Sequence, residues 1–152
     1  PDLSIRLWDL GFETKLIPNA YVYHKRRISW KKFYNQVHKF GLVRPILNNW
    51  HPATKKITYW FPTVFVLALM CSIGLWFFGY KWFLIVYAFY FLFAFILAMI
   101  STKSIAVSIL ALVSISIQFF GYGLGFLKSW LILNIFKRSP ENYFPTLFFK
   151  HI

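Results

Sequence analysis

The sequence predicts a mainly α-helical membrane protein, in which about three membrane-spanning helices follow a short, strongly basic segment. The composition is 59% hydrophobic and 23% aromatic, with only 14% charged residues, whereas soluble domains carry roughly 25% charged residues. The 17 Lys and Arg outnumber 4 Asp and Glu, and 11 of the 17 precede Tyr59. This composition disfavours a soluble globular domain. The chain divides into a basic N-terminal segment, before Tyr59, and an apolar remainder.

The predicted spans are residues 59–79, 82–100 and 104–127, none of which contains Asp, Glu, Lys or Arg. A hydrocarbon core about 30 Å thick needs roughly 20 apolar residues in a helix. Lysines mark the boundaries of these stretches, where an ammonium group reaches the lipid headgroups. Tryptophans and a tyrosine lie near the same levels, as in aromatic belts; they are Trp60, Trp76, Tyr80, Trp82 and Trp130.

The charge distribution gives two conflicting indications of orientation. The bases before Tyr59 place the N-terminal segment in the cytoplasm by the positive-inside rule. Three crossings would then put the tail outside, although that tail contains four bases and one acid: Lys128, Lys137, Arg138, Lys150 and Glu141. A re-entrant pair in place of one span would reconcile the two.

The first thirty residues predict small elements. Residues 3–10 place Leu3, Leu7 and Leu10 on one helix face, and Gly11 follows as a helix stop. The apolar runs 14–17 and 20–23 predict two strand pieces joined by a turn at Pro18. Together these elements are typical of the edge of an α/β domain.

A second helix is predicted for residues 30–40, with Ser29 as N-cap and Gly41 as C-terminal stop. Apolar side chains recur on one face of it, at Trp30, Phe33, Tyr34, Val37 and Phe40. The pattern predicts an interfacial amphipathic helix with Phe33 and Val37 directed into the membrane. A helix packed on a soluble core is the alternative.

Small residues recur in the third span, where Gly121 and Gly125 form G-x-x-x-G with Gly123 between them. This pattern lets another helix backbone approach closely, and packing within the same protein is favoured over dimerisation. The spans contain no charged side chain, which disfavours a transporter.

Six basic residues and no acid lie between His24 and Lys39. Such a run attracts phosphate, in an anionic lipid surface, a substrate diphosphate or nucleic acid. Its position beside a membrane span makes nucleic acid the least favoured partner, and by pattern alone membrane adhesion is favoured over substrate binding. His24 follows the second strand piece directly, where an imidazole can face a ligand.

The order of motifs resembles a known family. It runs D-L-S-I-R-L from Asp2, G-F-E-T-K-L-I-P to Pro18 and A-Y-V-Y-H-K-R-R from Ala20, then Q-V-H-K-F-G, R-P and membrane spans. This order resembles the C-terminal end of bacterial membrane-bound family 2 glycosyltransferases, in detail over residues 2–52. The resemblance implies a cytoplasmic GT-A domain, doubly wound α/β, that transfers a sugar from a nucleotide donor, often aided by a divalent metal (Mg or Mn).

Site residues follow from the resemblance. Asp2 is similar to the second acid of the family's Glu-Asp-x-Asp stretch, whose general base would stand immediately before Pro1. His24 is similar to the histidine that completes the metal site. Gln36, Lys39 and Phe40 are similar to a Q-x-x-R-W motif that binds donor diphosphate and acceptor near the membrane. Lys in place of Arg is a departure, since lysine lacks bidentate phosphate recognition.

Arg26 and Arg27 are expected to join Gln36 and Lys39 around the diphosphate. The predicted organisation is a C-terminal edge of a GT-A domain in 1–28, an amphipathic interfacial region in 29–57, transmembrane helices in 59–127 and a basic tail in 128–152. The small α/β remnant would thus precede the helical membrane part.

The implied setting is the bacterial inner membrane, with the N-terminal segment cytoplasmic and cell-envelope polysaccharide as the product class. The implied partners are the bilayer, a nucleotide sugar and a lipid-linked or glycan acceptor. The chain reads as cut from a longer enzyme, and no activity is expected of it alone. The alternatives are a non-catalytic multi-span anchor or scaffold with a lipid-binding basic segment and, third, a transporter fragment.

Overall fold

A computed structural model describes residues 2–23 and 29–148, and within those two ranges the chain forms helices and no strand. The α-helices are α1 (Asp2–Asp9), α2 (Trp30–Trp50), α3 (Phe61–Trp76), α4 (Trp82–Thr102), α5 (Ile105–Trp130) and α6 (Pro140–Tyr143). Short 3₁₀ turns occupy Pro52–Thr54, Ile57–Trp60 and Pro145–Leu147, and a π-helical turn at Leu131–Ile135 extends α5.

The first predicted helix is confirmed and the predicted strands are wrong. Gly11 has a φ of 82°, and the amides of Gly11 and Phe12 donate to the carbonyls of Trp8 and Leu7 at 2.9 and 3.0 Å. This is a Schellman ending, which a glycine permits without strain. Residues 12–17 and 20–23 are irregular, because a β-favouring run forms a strand only against a pairing partner. The α/β remnant expected in 1–28 is therefore not seen in its described part.

Helix α2 begins as predicted but ends ten residues later than predicted. The Ser29 side chain accepts from the Lys32 amide at 3.4 Å, which confirms the N-cap. Gly41 does not stop the helix, which continues to Trp50 with Pro45 inside it. A Cβ on Gly41 would lie 2.3 Å from the Tyr122 carbonyl oxygen, so this glycine serves close helix packing instead of termination.

Three helical stretches in the described chain are long and apolar enough to cross a membrane: Ile57–Trp76, Trp82–Thr102 and Ile105–Ile135. They confirm the predicted segments as long apolar helices. The first ends at Trp76, three residues before the predicted end at 79, and the third continues eight residues beyond the predicted end at 127. Ser104 caps α5 by accepting from the Val107 amide at 3.4 Å. Gly79 at φ 90° and Lys103 at φ 53° lie in the short connections on either side of α4.

The glycines of α5 alternate between two neighbours. Cβ atoms on Gly121 and Gly125 would meet α2, at 3.3 Å from Val37 Cγ1 and 2.5 Å from the His38 carbonyl oxygen. A Cβ on Gly123 would meet α3, at 2.7 Å from the Pro62 carbonyl oxygen. The glycine pattern therefore packs helices within one chain, as favoured from the sequence.

Val37 corrects one expectation of the sequence analysis. It is buried and contacts α5 at Gly121, whereas the amphipathic pattern directed it into the membrane. Tyr34 also lies against Gly121, 3.5 Å from the position of its added Cβ. The apolar face of α2 is thus shared between a helix partner and the surroundings, where Phe33 is half-buried and Phe40 exposed.

Aromatic rings join the three apolar helices near the middle of α5. The Phe65 ring stacks on Phe119 with centroids 4.0 Å apart, and the Tyr90 centroid is 5.3 Å from that of Phe65. The Tyr87 hydroxyl donates to the Phe65 carbonyl at 2.9 Å. A smaller apolar cluster lies beyond the end of α5 and contains Leu42, Ile46, Ile132 and Phe144.

Candidate functional site

The polar side of α2 carries the two predicted motif residues. Gln36 and Lys39 are both exposed, three positions apart and hence on adjoining turns of one face. Lys39 lines a groove of about 300 Å³ between α2 and the C-terminal segment, together with Lys32, Asn35, His38, Leu42, Thr146 and Leu147. Two ammonium groups and an amide therefore face one groove, which suits an anionic ligand. Gln36 does not line it.

His38, which lines this groove, also contacts α5. Its Nδ1 lies 3.0 Å from the Gly121 carbonyl oxygen, and because a carbonyl only accepts, Nδ1–H donates. The ring also stacks on Tyr34, with centroids 5.7 Å apart and planes within 10°. The contact of His38 with Gly121 thus also positions Lys39, the next residue in the chain, relative to α5.

Asp2 joins α1 to the end of α2. Its carboxylate accepts from His51 Nε2 at 2.8 Å and pairs with Arg6 at 3.1 Å. The hydrogen bond from His51, with a smaller effect of the Arg6 charge, lowers the pKa of Asp2 below its ordinary value despite some opposing desolvation. The acid that the resemblance assigns to a substrate therefore has two protein partners.

A second cavity, of about 280 Å³, lies where α2, the segment before α3 and the end of α5 meet. Two lysines, three amides and two tryptophans contribute to its lining, namely Lys55, Lys56, Asn48, Asn49, Asn134, Trp60 and Trp130. The Asn48 Oδ1 is buried and has no hydrogen-bond partner among the described residues. The two lysines give the lining a positive charge, which suits a ligand that carries a phosphate.

Aromatic contacts hold the walls of this second cavity, called here the interfacial cavity. The Trp60 ring lies 5.0 Å from Trp130 and 4.9 Å from Phe126, centroid to centroid. Because tryptophans are enriched at the headgroup level of membranes, Trp60 and Trp130 place this cavity at the level of lipid headgroups.

The remaining predicted site residues, His24, Arg26 and Arg27, lie outside the described residues. Metal binding was expected at His24. Across 2–23 and 29–148, no group of three His, Cys, Asp or Glu side chains comes close enough to hold a metal ion, and Asp2 is engaged by His51 and Arg6. The described side chains thus do not form a metal site by themselves.

Sequence reasoning missed the interfacial cavity and the roles of His38 and His51. The cavity draws its lining from positions 45 to 134, and the two histidines reach partners 83 and 49 positions away. One signal was available: the asparagine pair at 48 and 49, the lysine pair at 55 and 56 and Trp60 cluster just before the first apolar stretch.

The three apolar helices fit a multi-pass membrane protein with a polar site where its membrane helices meet α2. Comparisons with protein-family models, with curated proteins and with solved structures find no match to this chain.

Proposed function

We propose that the chain is the membrane-anchoring, acceptor-side part of a glycosyltransferase. The enzyme would move a sugar from a nucleotide donor to a lipid-linked or polysaccharide acceptor at a bacterial inner membrane, with the basic segment cytoplasmic. The motif order in residues 2–52 supports this proposal. In the family that it resembles, the donor-binding domain precedes the position of Asp2, so activity belongs to the full-length protein.

The interfacial cavity is the observation that carries the acceptor role. Lys55 and Lys56 supply two ammonium groups for a phosphate, and the amides Asn49 and Asn134 line the same cavity. Its volume of about 280 Å³ is near the lower end of ligand pockets, roughly 300–1,000 Å³. A single phosphate-bearing headgroup suits this volume better than a long glycan, so a lipid-linked acceptor is favoured.

On the donor side, we assign Gln36 and Lys39, with Arg26 and Arg27, to the leaving diphosphate. The Lys39 groove supports the assignment of Lys39, since Lys32 and Asn35 line it as well; the assignment of the other three residues rests on the resemblance. Losing one charged hydrogen bond to a developing anion costs about 10²- to 10³-fold in rate. Lys39→Ala in the full-length enzyme is expected to lower kcat on that order.

The second candidate is a non-catalytic anchor, in which the same two lysines hold an anionic lipid headgroup without chemistry. The resemblance supplies the reason to prefer the enzyme. The two functions predict different behaviour of the full-length protein toward nucleotide sugars. An enzyme transfers the sugar to an acceptor, whereas an anchor binds lipid and transfers no sugar.

The test uses the full-length protein in its membrane with a panel of radiolabelled nucleotide sugars, and label is counted in the lipid extract and in polymer. Charge-assisted hydrogen bonds contribute about 1.5–3 kcal/mol each. The double variant Lys55→Gln, Lys56→Gln is therefore expected to raise KM for the lipid acceptor at least tenfold. Lys15→Gln, which removes an exposed lysine from the irregular segment after α1, is the matched control.

Transfer of label to lipid, with the acceptor KM raised only in the double variant, supports the proposal. Absence of transfer from every donor tested contradicts the enzyme. If the double variant then also loses retention on vesicles of anionic lipid, the anchor is the function that stands.

A further inference from the structure

Helix α5 connects two opposite ends of the membrane part. It has 26 residues, or about 39 Å at 1.5 Å per residue, which exceeds a hydrocarbon core of about 30 Å. Lys103 and Ser104 precede its first residue, and Lys128 and Trp130 lie at its other end. These two ends therefore lie on opposite sides of a bilayer.

Helix α4 runs antiparallel beside α5. Near the tight connection at Lys103, the Ser108 hydroxyl lies 3.8 Å from Met99 Sδ. Farther on, the Tyr90 ring lies 6.2 Å from that of Phe119, and these two residues are 13 and 16 positions from Lys103. The remaining eight residues back to Trp82 add about 12 Å. Trp82 therefore reaches the end of the α4–α5 pair at which Lys128 lies.

Both ends of α3 lie in that same half. Its start is fixed by Trp60 against Trp130, with ring centroids 5.0 Å apart, and by the Thr63 hydroxyl, which donates to the Gly123 carbonyl at 3.0 Å. Its end is fixed by a tight turn in which the Tyr80 amide donates to the Leu75 carbonyl at 3.1 Å. That turn leads directly to Trp82.

We propose that α3 does not cross the membrane, although its length and composition allow it. It lies embedded in the leaflet next to the basic segment, with Thr63 and Val66 against the bundle and with Val64 and Met70, both exposed, against lipid acyl chains. The chain then crosses twice, through α4 and α5. Residues before α3 and after α5 are on one side, and Lys103 is on the other.

The charges agree with two crossings and disagree with three. Of the basic residues from 57 to 138, Lys81, Lys128, Lys137 and Arg138 fall on the side of the N-terminal segment, and Lys103 alone faces the opposite side. The positive-inside rule concentrates Lys and Arg on the cytoplasmic face. With two crossings, the basic tail lies on the same side as the N-terminal segment, so the conflict between the number of spans and the charge of the tail is resolved.

Single cysteines test this arrangement in the full-length protein. The native Cys71 is replaced by alanine, and cysteines are introduced one at a time at Ala53, Tyr80, Thr102 and Ser139, so that no charge is removed. A membrane-impermeant maleimide is applied to right-side-out and to inverted sealed vesicles. Full labelling in detergent serves as the control for reactivity at each position.

Two crossings predict that positions 53, 80 and 139 are labelled from one side and that position 102 is labelled only from the other. Three crossings would instead place positions 80 and 139 on the side opposite position 53, and position 102 on the same side as position 53. Labelling of position 80 from the side opposite position 53 overturns the proposal, and so does labelling of position 102 from the side of position 53.

Discussion

Replacement of Gly125 by alanine tests the close contact between α2 and α5. The added Cβ would lie 2.5 Å from the His38 carbonyl oxygen and 3.1 Å from His38 Nδ1. Since a backbone oxygen cannot rotate away, one helix must move by more than half an ångström. Overpacking of this kind costs about 1–3 kcal/mol, against a gain of about 0.5–1 kcal/mol from replacing a helical glycine.

The matched control is Gly74→Ala in α3, where an added Cβ meets no atom of residues 2–23 and 29–148 within 4 Å. It receives the helix gain alone, so Gly125→Ala is expected to be about 1–3 kcal/mol less stable than Gly74→Ala. Unfolding of the purified protein in mixed micelles of increasing SDS fraction, followed by tryptophan fluorescence, measures this difference. Equal unfolding midpoints for the two variants would refute the close packing of α2 on α5.

Two further predictions concern single hydrogen bonds. Thr63→Val removes the hydrogen bond that the Thr63 hydroxyl donates to the Gly123 carbonyl and is expected to cost about 0.5–1.5 kcal/mol in the same unfolding assay. The control is Ser72→Ala, because the Ser72 hydroxyl donates to the Ala68 carbonyl of its own helix. An equal loss of stability in both variants would speak against the interhelical bond. The pKa of Asp2 is lowered in the folded protein, so its contribution to stability is complete above its ordinary pKa of about 3.9 and is lost as the pH falls through the lower folded value. A ¹³C NMR titration of the Asp2 carboxyl should show its pKa rising in His51→Ala, and an unchanged value would contradict the hydrogen bond.

Short-range sequence rules predicted the elements whose signals are local. Ser29 caps α2 and Gly11 ends α1, because each effect depends on residues within one turn. The three apolar stretches were recognisable because length and lack of charge determine whether a helix can span a bilayer. These features need no knowledge of which helix neighbours which.

The features that were wrong or missed depend on distant partners. Gly41 has the local signature of a helix stop, but a missing side chain equally permits the approach of Tyr122, 81 positions away. The run from Thr14 to Tyr23 favours strands, but strand propensity takes effect only with a pairing partner. The polar cluster before the first apolar stretch was visible in the sequence, but the interfacial cavity as a whole was not, since Phe126, Trp130 and Asn134 join its lining from the far end of the chain.

The docking of α2 along α5 forms the interfacial cavity and, through the hydrogen bond of His38 to Gly121, fixes the part of α2 that carries Lys39. The most direct test is a disulfide between Val37→Cys and Gly121→Cys in the Cys71→Ala background. Val37 Cγ1, the position that a cysteine sulfur would take, lies 3.3 Å from the Cβ position of residue 121, which is close enough for the specific geometry of a disulfide. The control pairs Val37→Cys with Val113→Cys, two helical turns farther along α5. After mild oxidation in the membrane, the first pair should form an intramolecular disulfide and the control should not. Equal cross-linking of both pairs, or none in the first, would contradict the docking of α2 on α5.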